Sequence, residues 1–497
     1  MTPAPSALFA RCFLLAPLLL LAALAAPAVS ASPEIGEEGM MEHIEILASD
    51  AYEGRKPGTA GETRTLDYIA WQFARLGLLP AGAEGWFHPV PLVERRPFAK
   101  RALFTDEEGG WIALDEELLL TGPAPQVSIA DAPLVFVGHG LVMPEAGIDQ
   151  LEGAALDGAV ALMLFGDPEG IEGAPGQSAK VETLAARGAR AVITVVPPSI
   201  AWNAVAAQLG GGRAELESEA SRIVSGAMSA AAAEKLLGAD PFAAGPGFVA
   251  RTLDRRATLD VSTLIRSYVS RNILARLPGS GAMGEKVLIL GHWDHLGICR
   301  PEGAEDRICN GAVDNASGIA LILEAAEALA RGPRPERDIL FLGTTAEEMG
   351  LLGAKAFVES PPFPLEQLVG AVNVDTVAIA RAGTPVGIVG RGMTAIDPLI
   401  DEIAVELGRE IGDGDLPNQF YHRQDGIVFN RAGVPTVMVT SAFAEEDQLN
   451  AYLSGPYHQP SDEIEGIELG GAVEDARFIV ALVRAMADPE RFAHEGR

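Results

Sequence analysis

The chain has 497 residues, of which 48% are hydrophobic and 21% are charged, so it can bury large cores and is not expected to be disordered. At this length two domains are the default expectation. The formal net charge of −31 argues against nucleic acid and anionic lipid as partners, because a negative surface repels both. A surface of this charge attracts metal ions and protonated amines, or it serves solubility alone.

The N-terminus has the pattern of a signal peptide over residues 1–31. Arg11 precedes an apolar run over 13–28, and Val29 and Ala31 stand three and one positions before a cleavage point. We therefore predict an exported protein, periplasmic or extracellular; the alternative is an uncleaved membrane anchor. No later run reaches the ~20 apolar residues that cross a bilayer, so no stable membrane insertion is expected after cleavage.

The cysteines bear on the compartment as well. Cys12 lies in the predicted signal, which leaves Cys299 and Cys309. Two thiols ten residues apart in an exported protein favour a local disulfide. The alternative is a pair of metal-binding thiolates.

Elements of the first half follow from hydrophobic spacing. Residues 39–47 and 63–76 have helical spacing, and 86–125 is expected to form short strands and turns. A small α/β unit then begins at about 126 and ends at about 255. Its strands are predicted in 133–142, 159–167 and 190–196, its helix in 178–189, and a further strand pattern follows at 255–279.

Strands and helices alternate clearly from residue 286 onward. The predicted strands are 286–294, 337–348, 368–377 and 434–442, and the predicted helices are 317–331, 350–360, 398–410 and 469–487. Repeated βα units indicate an α/β fold with a mixed, mainly parallel sheet flanked by helices.

Polar residues stand where these strands end, and in open α/β sheets that edge binds ligands. They are His292 and Asp294, Glu347 and Glu348, and Asp375, with Asp314 just before a helix. Taken singly, Asp314 could be a helix cap, and the two glutamates could be first-turn acids favoured by the helix dipole. The same outcome at several strand ends favours a common site.

The residue types suit two adjacent divalent metals. Imidazole and carboxylate ligands suit zinc, and a carboxylate can bridge two ions. Since neighbouring side chains diverge, one glutamate of Glu347 and Glu348 can bind metal while the other acts as a base. Asp294 can fix the tautomer of His292, and His295 is interpreted as a supporting or structural residue.

With these residues in place, the chain resembles the zinc aminopeptidases of peptidase family M28. The motifs are GHWDHLG, NGAVDNASG, TTAEEMGLLGA, VNVDT and YHQPSDE, in the family's order and spacing. The resemblance implies two zinc ions per chain. It implies that His292 and Asp375 bind one ion, that Glu348 and His458 bind the other, and that Asp314 bridges the two. It also implies that Glu347 is the general base and acid and that Asp294 orients His292. A cis peptide bond at Asp314-Asn315 is a further implication.

The resemblance also divides the chain. Residues 32–115 and 256–497 would form the zinc-peptidase domain, with a phosphorylase/hydrolase-like fold. Residues 116–255 resemble a protease-associated domain inserted in many members. The insert is expected to cap the active-site cleft; alternatively it is a passive spacer.

One stretch departs from the family. Where relatives often carry Arg-Ser-Asp-His, this chain keeps Arg423 and Asp425 but has Gly426 in place of histidine. His422 either compensates or is an ordinary loop residue. Arg423, Asp425 and Tyr457 are the predicted substrate contacts, and Tyr457 would help to stabilise the tetrahedral intermediate.

The hypothesis from sequence is hydrolysis of N-terminal residues from peptide substrates, by a hydroxide bridging two zinc ions; the oligomeric state stays open. A carboxypeptidase of the same family would need an arginine cluster, which the motifs do not show. A glutaminyl cyclase would use one zinc and lack the insert. A receptor-like binding protein would have lost ligands, and a metal-storage protein would repeat them.

Overall fold

The computed structural model describes residues 1–2, 35–105, 108, 110–114, 116–171, 173–282 and 284–493. Apart from its first two positions, the predicted signal peptide, with Cys12, lies outside the described residues. Within the described part of the chain, no helix is both long enough and apolar enough to cross a membrane.

The helices and strands follow the predicted order. The α-helices are α1 (Glu37–Leu47), α2 (Ala60–Arg75), α3 (Gln177–Ala186), α4 (Trp202–Gly210), α5 (Ala230–Leu237), α6 (Gly318–Arg331), α7 (Leu352–Glu359), α8 (Asp397–Leu407), α9 (Asp415–Asn418), α10 (Gly426–Arg431), α11 (Glu446–Ser454) and α12 (Gly470–Met486). The strands are β1 (Leu79–Pro80), β2 (Phe87–Thr105), β3 (Trp111–Ala113), β4 (Leu118–Thr121), β5 (Gln126–Phe136), β6 (Val142–Met143), β7 (Ile148–Asp149), β8 (Val160–Leu164), β9 (Ala191–Val195), β10 (Arg213–Leu216), β11 (Val224–Met228), β12 (Arg251–Leu277), β13 (Lys286–His292), β14 (Gly297–Ile298), β15 (Ile308–Cys309), β16 (Asp338–Thr344), β17 (Leu368–Asn373), β18 (Gly387–Val389) and β19 (Thr436–Thr440).

One large mixed sheet runs through both halves of the chain. Its main order is β18-β19-β17-β13-β16-β12-β5-β8-β9-β11-β4. The pairs β13–β16, β13–β17 and β17–β19 are parallel, whereas β12 is antiparallel to β16 and β5. This confirms the predicted mixed α/β fold, and it places β13 between two parallel neighbours.

The expectation of short strands and turns over 86–125 is wrong for its first part. β2 is 19 residues long and pairs with β12 from Phe87 to Phe104. Pro89, Pro91 and Pro97 suggest turns, but they share one parity, so their missing N–H groups face one side of the strand. The partner strand, 27 residues long, supplies the pairing that local propensity does not indicate.

Apolar side chains of the central strands are buried on both faces of the sheet. Along β13, Val287 and Ile289 face a core with α1, α2, α6 and α12, while Leu288 and Leu290 face a second core with α7 and α10. Each such side chain contributes about 1.5–3 kcal/mol by its burial. A continuous apolar run of this kind is typical of a central parallel strand.

A separate core lies under the strands of the central region of the chain. It includes Phe104, Leu134, Leu162, Ile193 and Val261, all buried. β12 contributes to this core through its first half, and it pairs with β16 through its last residues, Ile273–Leu277. A single long strand therefore joins the sheet of this region to the sheet that carries the strand-end polar residues.

Candidate metal centre

The strand-end residues meet at one edge of the sheet because of register. His292, the last residue of β13, pairs with Thr344, the last residue of β16. Asn373, the last residue of β17, pairs beside Leu290 on the other side of β13. Glu347, Glu348 and Asp375 follow within four residues of these ends, so they are delivered to the same place.

Asp314 reaches this edge from the turn that precedes α6. The turn spans Ala312–Ser317, and the Asp314–Asn315 peptide bond in it is cis. The Asn315 side chain donates to the carbonyls of His292, at 3.3 Å, and Val374, at 3.0 Å. The turn is thereby tied to the ends of β13 and β17.

One oxygen of Asp314 belongs to a first group of potential ligands. His292 Nε2 lies 3.3 Å from Asp314 Oδ1 and 3.5 Å from Asp375 Oδ1. His292 and Asp314 are buried, and 14% of the Asp375 side chain is exposed. Three donor atoms on three different elements therefore converge on one point.

The other oxygen of Asp314 belongs to a second group. His458 Nε2 lies 3.3 Å from Asp314 Oδ2 and 3.0 Å from Glu348 Oε2. His295 Nδ1 lies 2.6 Å from Glu348 Oε1 and 3.9 Å from Asp314 Oδ2. The structure thus brings together all five predicted metal ligands, with Asp314 shared between two groups.

The spacing within each group suits a tetrahedral ion. Bonds of 2.0–2.2 Å at a tetrahedral angle separate ligand atoms by ~3.4 Å. The four His–carboxylate separations around Asp314 run from 3.0 to 3.5 Å. Moreover, His458 Nε2 is buried and forms no hydrogen bond of acceptable geometry with any described residue. The donor set therefore fits two zinc-type ions better than a hydrogen-bonded cluster.

Electrostatics at the site oppose the effect of burial. Burial alone would raise the pKa of Asp314, but His292 and His458 facing its two oxygens lower it well below its usual value. Burial alone would lower the pKa of His458, but the Asp314 and Glu348 carboxylates raise it to about 10. The carboxylates hold their negative charge, and positive charge is favoured between them.

Glu347 stands apart from both groups. Its backbone N–H donates to Asp294 Oδ1 at 3.1 Å, and it follows Ala346, which has a φ of 52°. Burial raises the pKa of Glu347 well above its usual value, against the opposing charge of His292 and with the help of Asp425. A carboxylate with a raised pKa accepts a proton more readily, which suits a group that takes up and returns a proton.

The contacts of Asp294 and His295 differ from the simplest expectation, in which the Asp294 carboxylate bonds directly to His292. His292 Nδ1 bonds at 3.1 Å with the backbone carbonyl of Asp294, whose carboxylate lies 3.8 Å away. That carboxylate instead accepts from Glu347, and burial raises its pKa to about 8. His295 Nδ1 bonds to Glu348 Oε1, and the same nitrogen could itself hold a metal ion with Asp314 and Glu348, a possibility that the interpretation from the sequence did not include.

The predicted substrate contacts lie at different depths. The Tyr457 ring stacks on His458 with 3.8 Å between ring centroids. Arg423 is exposed and lies over the Phe420 ring. Asp425 is buried, and it accepts a hydrogen bond from the Thr344 hydroxyl at 2.5 Å. Of these three, Tyr457 is directly beside the metal groups and Asp425 is behind them.

Gly426, which stands where relatives often have histidine, lies in a crowded part of the structure. A Cβ atom at this position would lie 2.5 Å from Gln424 Oε1 and 2.9 Å from Thr436 Cγ2. A side chain here would therefore require its neighbours to shift. His422 is exposed, and its ring meets that of Tyr421 edge-on.

Cys299 and Cys309 are joined by a disulfide with an S–S distance of 2.07 Å. The bond closes the hairpin of β14 and β15, which lies just before the turn that carries Asp314. Cys309 Sγ also lies 3.8 Å from the His458 carbonyl. The disulfide therefore sits directly beside the metal-binding elements.

Sequence reasoning did not single out two residues that contact this backbone. Arg55 is 1% exposed, and its guanidinium donates to backbone carbonyls on both sides of the site. Asp462 accepts from the N–H groups of Val313 and Asp314. Asp462 lies inside the YHQPSDE motif, and Arg55 lies in the segment GRKPGT between α1 and α2.

The region of the chain that carries most of these residues matches a known protein family. Residues 272–483 match the profile of peptidase family M28. A vacuolar membrane protease of Candida dubliniensis is 32% identical over 213 residues, which are 42% of this chain and 20% of that protein. The protein described as "Probable lipoprotein aminopeptidase LpqL", of Mycobacterium tuberculosis, is 26% identical over 245 residues, 45% of this chain and 46% of its own. The chain thus spans less than half the length of these curated relatives.

A solved structure extends the likeness beyond the matched region. The aminopeptidase from Aneurinibacillus sp. strain AM-1 aligns with 94% of this chain and 97% of its own, with a TM-score of 0.56 and 21% identity. At that identity the likeness concerns the fold. The profile match identifies residues 272–483 as a peptidase family M28 domain.

Proposed function

We propose that the chain is an exported metallo-aminopeptidase with two zinc ions at the strand-end site. The observation that carries the proposal is that the two carboxylate oxygens of Asp314 belong to two different groups of potential ligands. Its two oxygens face two different histidines at 3.3 Å each, and each histidine has a further carboxylate of its own. His292 and Asp375 would hold one ion, Glu348 and His458 the other, and Asp314 both.

Zinc, when bound, supplies Lewis acidity, which lowers the pKa of water and polarises a carbonyl oxygen. The other roles fall to this chain's residues. Glu347 takes the proton that water loses on adding to the scissile carbonyl, and it delivers that proton to the leaving nitrogen. Its raised pKa lets it hold the proton between the two steps.

Tyr457 is proposed to contact the reacting group. Burial raises the pKa of its phenol, so the hydroxyl keeps its proton and can donate to the oxygen of a tetrahedral intermediate. Arg423 lies close enough to Tyr457 for its charge to oppose that rise. We place Arg423 at the mouth of the site, and Asp425 behind Thr344 as a buried support.

The choice of aminopeptidase over carboxypeptidase rests on charge. A free α-amine is matched by carboxylates, which surround this site, whereas an acidic C-terminus needs convergent arginines. Arg55 is committed to backbone carbonyls, and Arg423 is exposed. The name of the Mycobacterium tuberculosis relative, a lipoprotein aminopeptidase, favours the same choice.

The residues 116–255 are proposed to be a protease-associated insert that covers the cleft. The sheet of this region joins the peptidase sheet through β12. A strand that is continuous through both sheets suits a wall of the cleft better than a free spacer. Export would follow from the predicted signal peptide at residues 1–31.

Three measurements on purified protein test the function. Zinc content by elemental analysis should approach two per chain, and chelation followed by dialysis should abolish hydrolysis, with recovery on adding zinc. A panel of aminoacyl amides should be cleaved, while the same residues with blocked amines should not. Cleavage of N-blocked peptides in preference to free-amine peptides would refute the aminopeptidase proposal.

A further inference from the structure

Arg55 occupies an unusual position in the turn Asp50–Arg55 between α1 and α2. It has a φ of 52° and is 1% exposed. Residues other than glycine seldom adopt this conformation, and they keep it only where the surroundings hold them in place. Gly54, before it, packs so closely that a Cβ atom would lie 2.3 Å from the Cys309 carbonyl oxygen.

The Arg55 guanidinium donates to carbonyls on three separate segments, the first of which is the end of α1, where Nη1 donates to Leu47 O at 2.9 Å. Nε donates to Trp293 O at 2.9 Å, next to His292. Nη1 donates to Asn310 O at 2.5 Å, and Nη2 donates to Gly311 O at 2.9 Å. A weaker contact of 3.5 Å reaches the carbonyl of Asp314. One planar, rigid group therefore joins the backbone of two predicted ligands.

The N–H groups of the same turn donate to Asp462. Its two oxygens accept from the N–H groups of Val313, at 3.0 Å, and Asp314, at 3.1 Å. The Tyr452 hydroxyl donates to the same carboxylate at 3.0 Å. Arg55 thus takes the carbonyls of the turn while Asp462 takes its amides, and the turn is held from both sides.

The charge of Arg55 has no close carboxylate to balance it. Among the described residues, none forms an ion pair with it within 4.0 Å. Burial lowers the pKa of Arg55 to about 10, although Asp314 and Asp462 oppose this, so the group stays charged at neutral pH. A buried cation that bonds only to backbone carbonyls is typical of a group that fixes backbone geometry.

We propose that Arg55 is a positioning residue of the metal centre, which holds the backbone of Asp314 and the backbone beside His292 in one arrangement. This rests on the zinc centre proposed above. Groups that orient metal ligands from behind typically change metal affinity by about 10- to 100-fold when removed. On charge alone, removal of Arg55 would instead strengthen zinc binding, because a nearby cation repels zinc; the experiment separates the two effects.

The test measures zinc binding as well as activity. In Arg55→Lys the charge stays but the planar fork is lost, and in Arg55→Met both are lost. We expect both variants to bind zinc about 10- to 100-fold more weakly than the wild-type chain, measured by competition with a chromophoric chelator. Tighter binding by Arg55→Met, or wild-type affinity in both variants, would overturn the proposal.

Arg337 offers a matched control. It is also buried, and it donates to the carbonyls of Met486 and Phe492 and to the carboxylate of Glu285. Arg337 directly precedes β16, so it lies at the opposite end of that strand from the metal groups. Arg337→Met should lower the melting temperature of the zinc-free protein without changing the zinc dissociation constant. Equal effects on zinc affinity from Arg337→Met and Arg55→Met would mean that Arg55 is only structural.

Should the Arg55 variants fail to fold, Asp462→Asn tests whether the backbone contacts that hold the turn also control zinc affinity. The amide keeps the size of the carboxylate but has only one acceptor oxygen for two N–H groups. We expect zinc affinity to fall in this variant too, and an unchanged dissociation constant would count against the proposal. A wild-type chain that binds no zinc would instead refute the proposed function itself.

Discussion

Asp294 accepts the backbone N–H of Glu347 through Oδ1 at 3.1 Å. This bond joins the end of β13 to the turn that follows β16, and so it sets where the Glu347 side chain begins. Asp294 thereby acts on the proposed base directly, while its own backbone carbonyl bonds to His292.

Replacement of Glu347 should separate metal binding from turnover. Glu347 belongs to neither metal group, so Glu347→Ala should keep the wild-type zinc content. Loss of a general base should lower kcat by about 100- to 10,000-fold. Exposed Glu359 on α7 is a control, and Glu359→Gln should leave kcat unchanged. Near-normal turnover in Glu347→Ala would exclude the proposed role.

Asp314 and Asp375 should differ in their effect on zinc stoichiometry. Asp314 faces both histidines, whereas Asp375 faces His292 alone. Asp314→Ala should therefore weaken both sites, and Asp375→Ala should weaken one. Elemental analysis after dialysis against a weak chelator distinguishes them. Two tightly bound ions in Asp314→Ala would show that the carboxylate does not bridge.

Asp475 should make stability depend on pH below neutrality. It is buried and accepts from the Ser441 hydroxyl and N–H, and burial raises its pKa to about 6, in spite of those bonds. Because the folded state binds this proton more tightly than the unfolded chain, stability falls as pH rises from about 4 to about 6. The loss is about 3 kcal/mol once Asp475 is fully ionised.

Asp475→Asn removes that titration while keeping the side chain's size. Denaturant unfolding of zinc-free protein at several pH values should show a flatter dependence for the variant over this range. Parallel curves for the variant and the wild type would mean that Asp475 has no raised pKa in the folded protein.

Gly426→Ala tests the crowding at the family departure. Its Cβ would meet Gln424 and Thr436 at less than 3 Å, so the variant should lose about 1–3 kcal/mol of unfolding free energy. At Gly466 an added Cβ would meet no atom within 4 Å, which makes Gly466→Ala a suitable control. If the two variants are equally stable, the pocket around Gly426 adapts, and a larger residue could occupy it.

Local sequence patterns were sufficient for the central sheet and for the polar residues at its strand ends. The apolar runs of β13, β16 and β17 are continuous because both faces of these strands are buried, and polar residues follow where each run ends. Parallel neighbours bring those ends to one edge. Hence His292, Glu348 and Asp375 could be grouped before any distance was known.

Other features depend on contacts between distant segments. The length of β2 follows from its partner β12, more than 150 residues later, and prolines hide it from local reading. The bond from His292 to the Asp294 carbonyl depends on how the chain turns after β13. A buried arginine such as Arg55 is recognisable only when its acceptors, 8 to 259 residues away, are seen together.

The sequence by itself determined the order of elements, the resemblance to peptidase family M28, and which residues stand at the strand ends, because the spacing of apolar side chains and the motif residues are local properties. Only the tertiary structure decided that Asp314 faces two separate groups. It also decided that Arg55 and Asp462 hold its turn from opposite sides. Those relations join backbone segments far apart in the chain, and their geometry depends on how helices and strands pack.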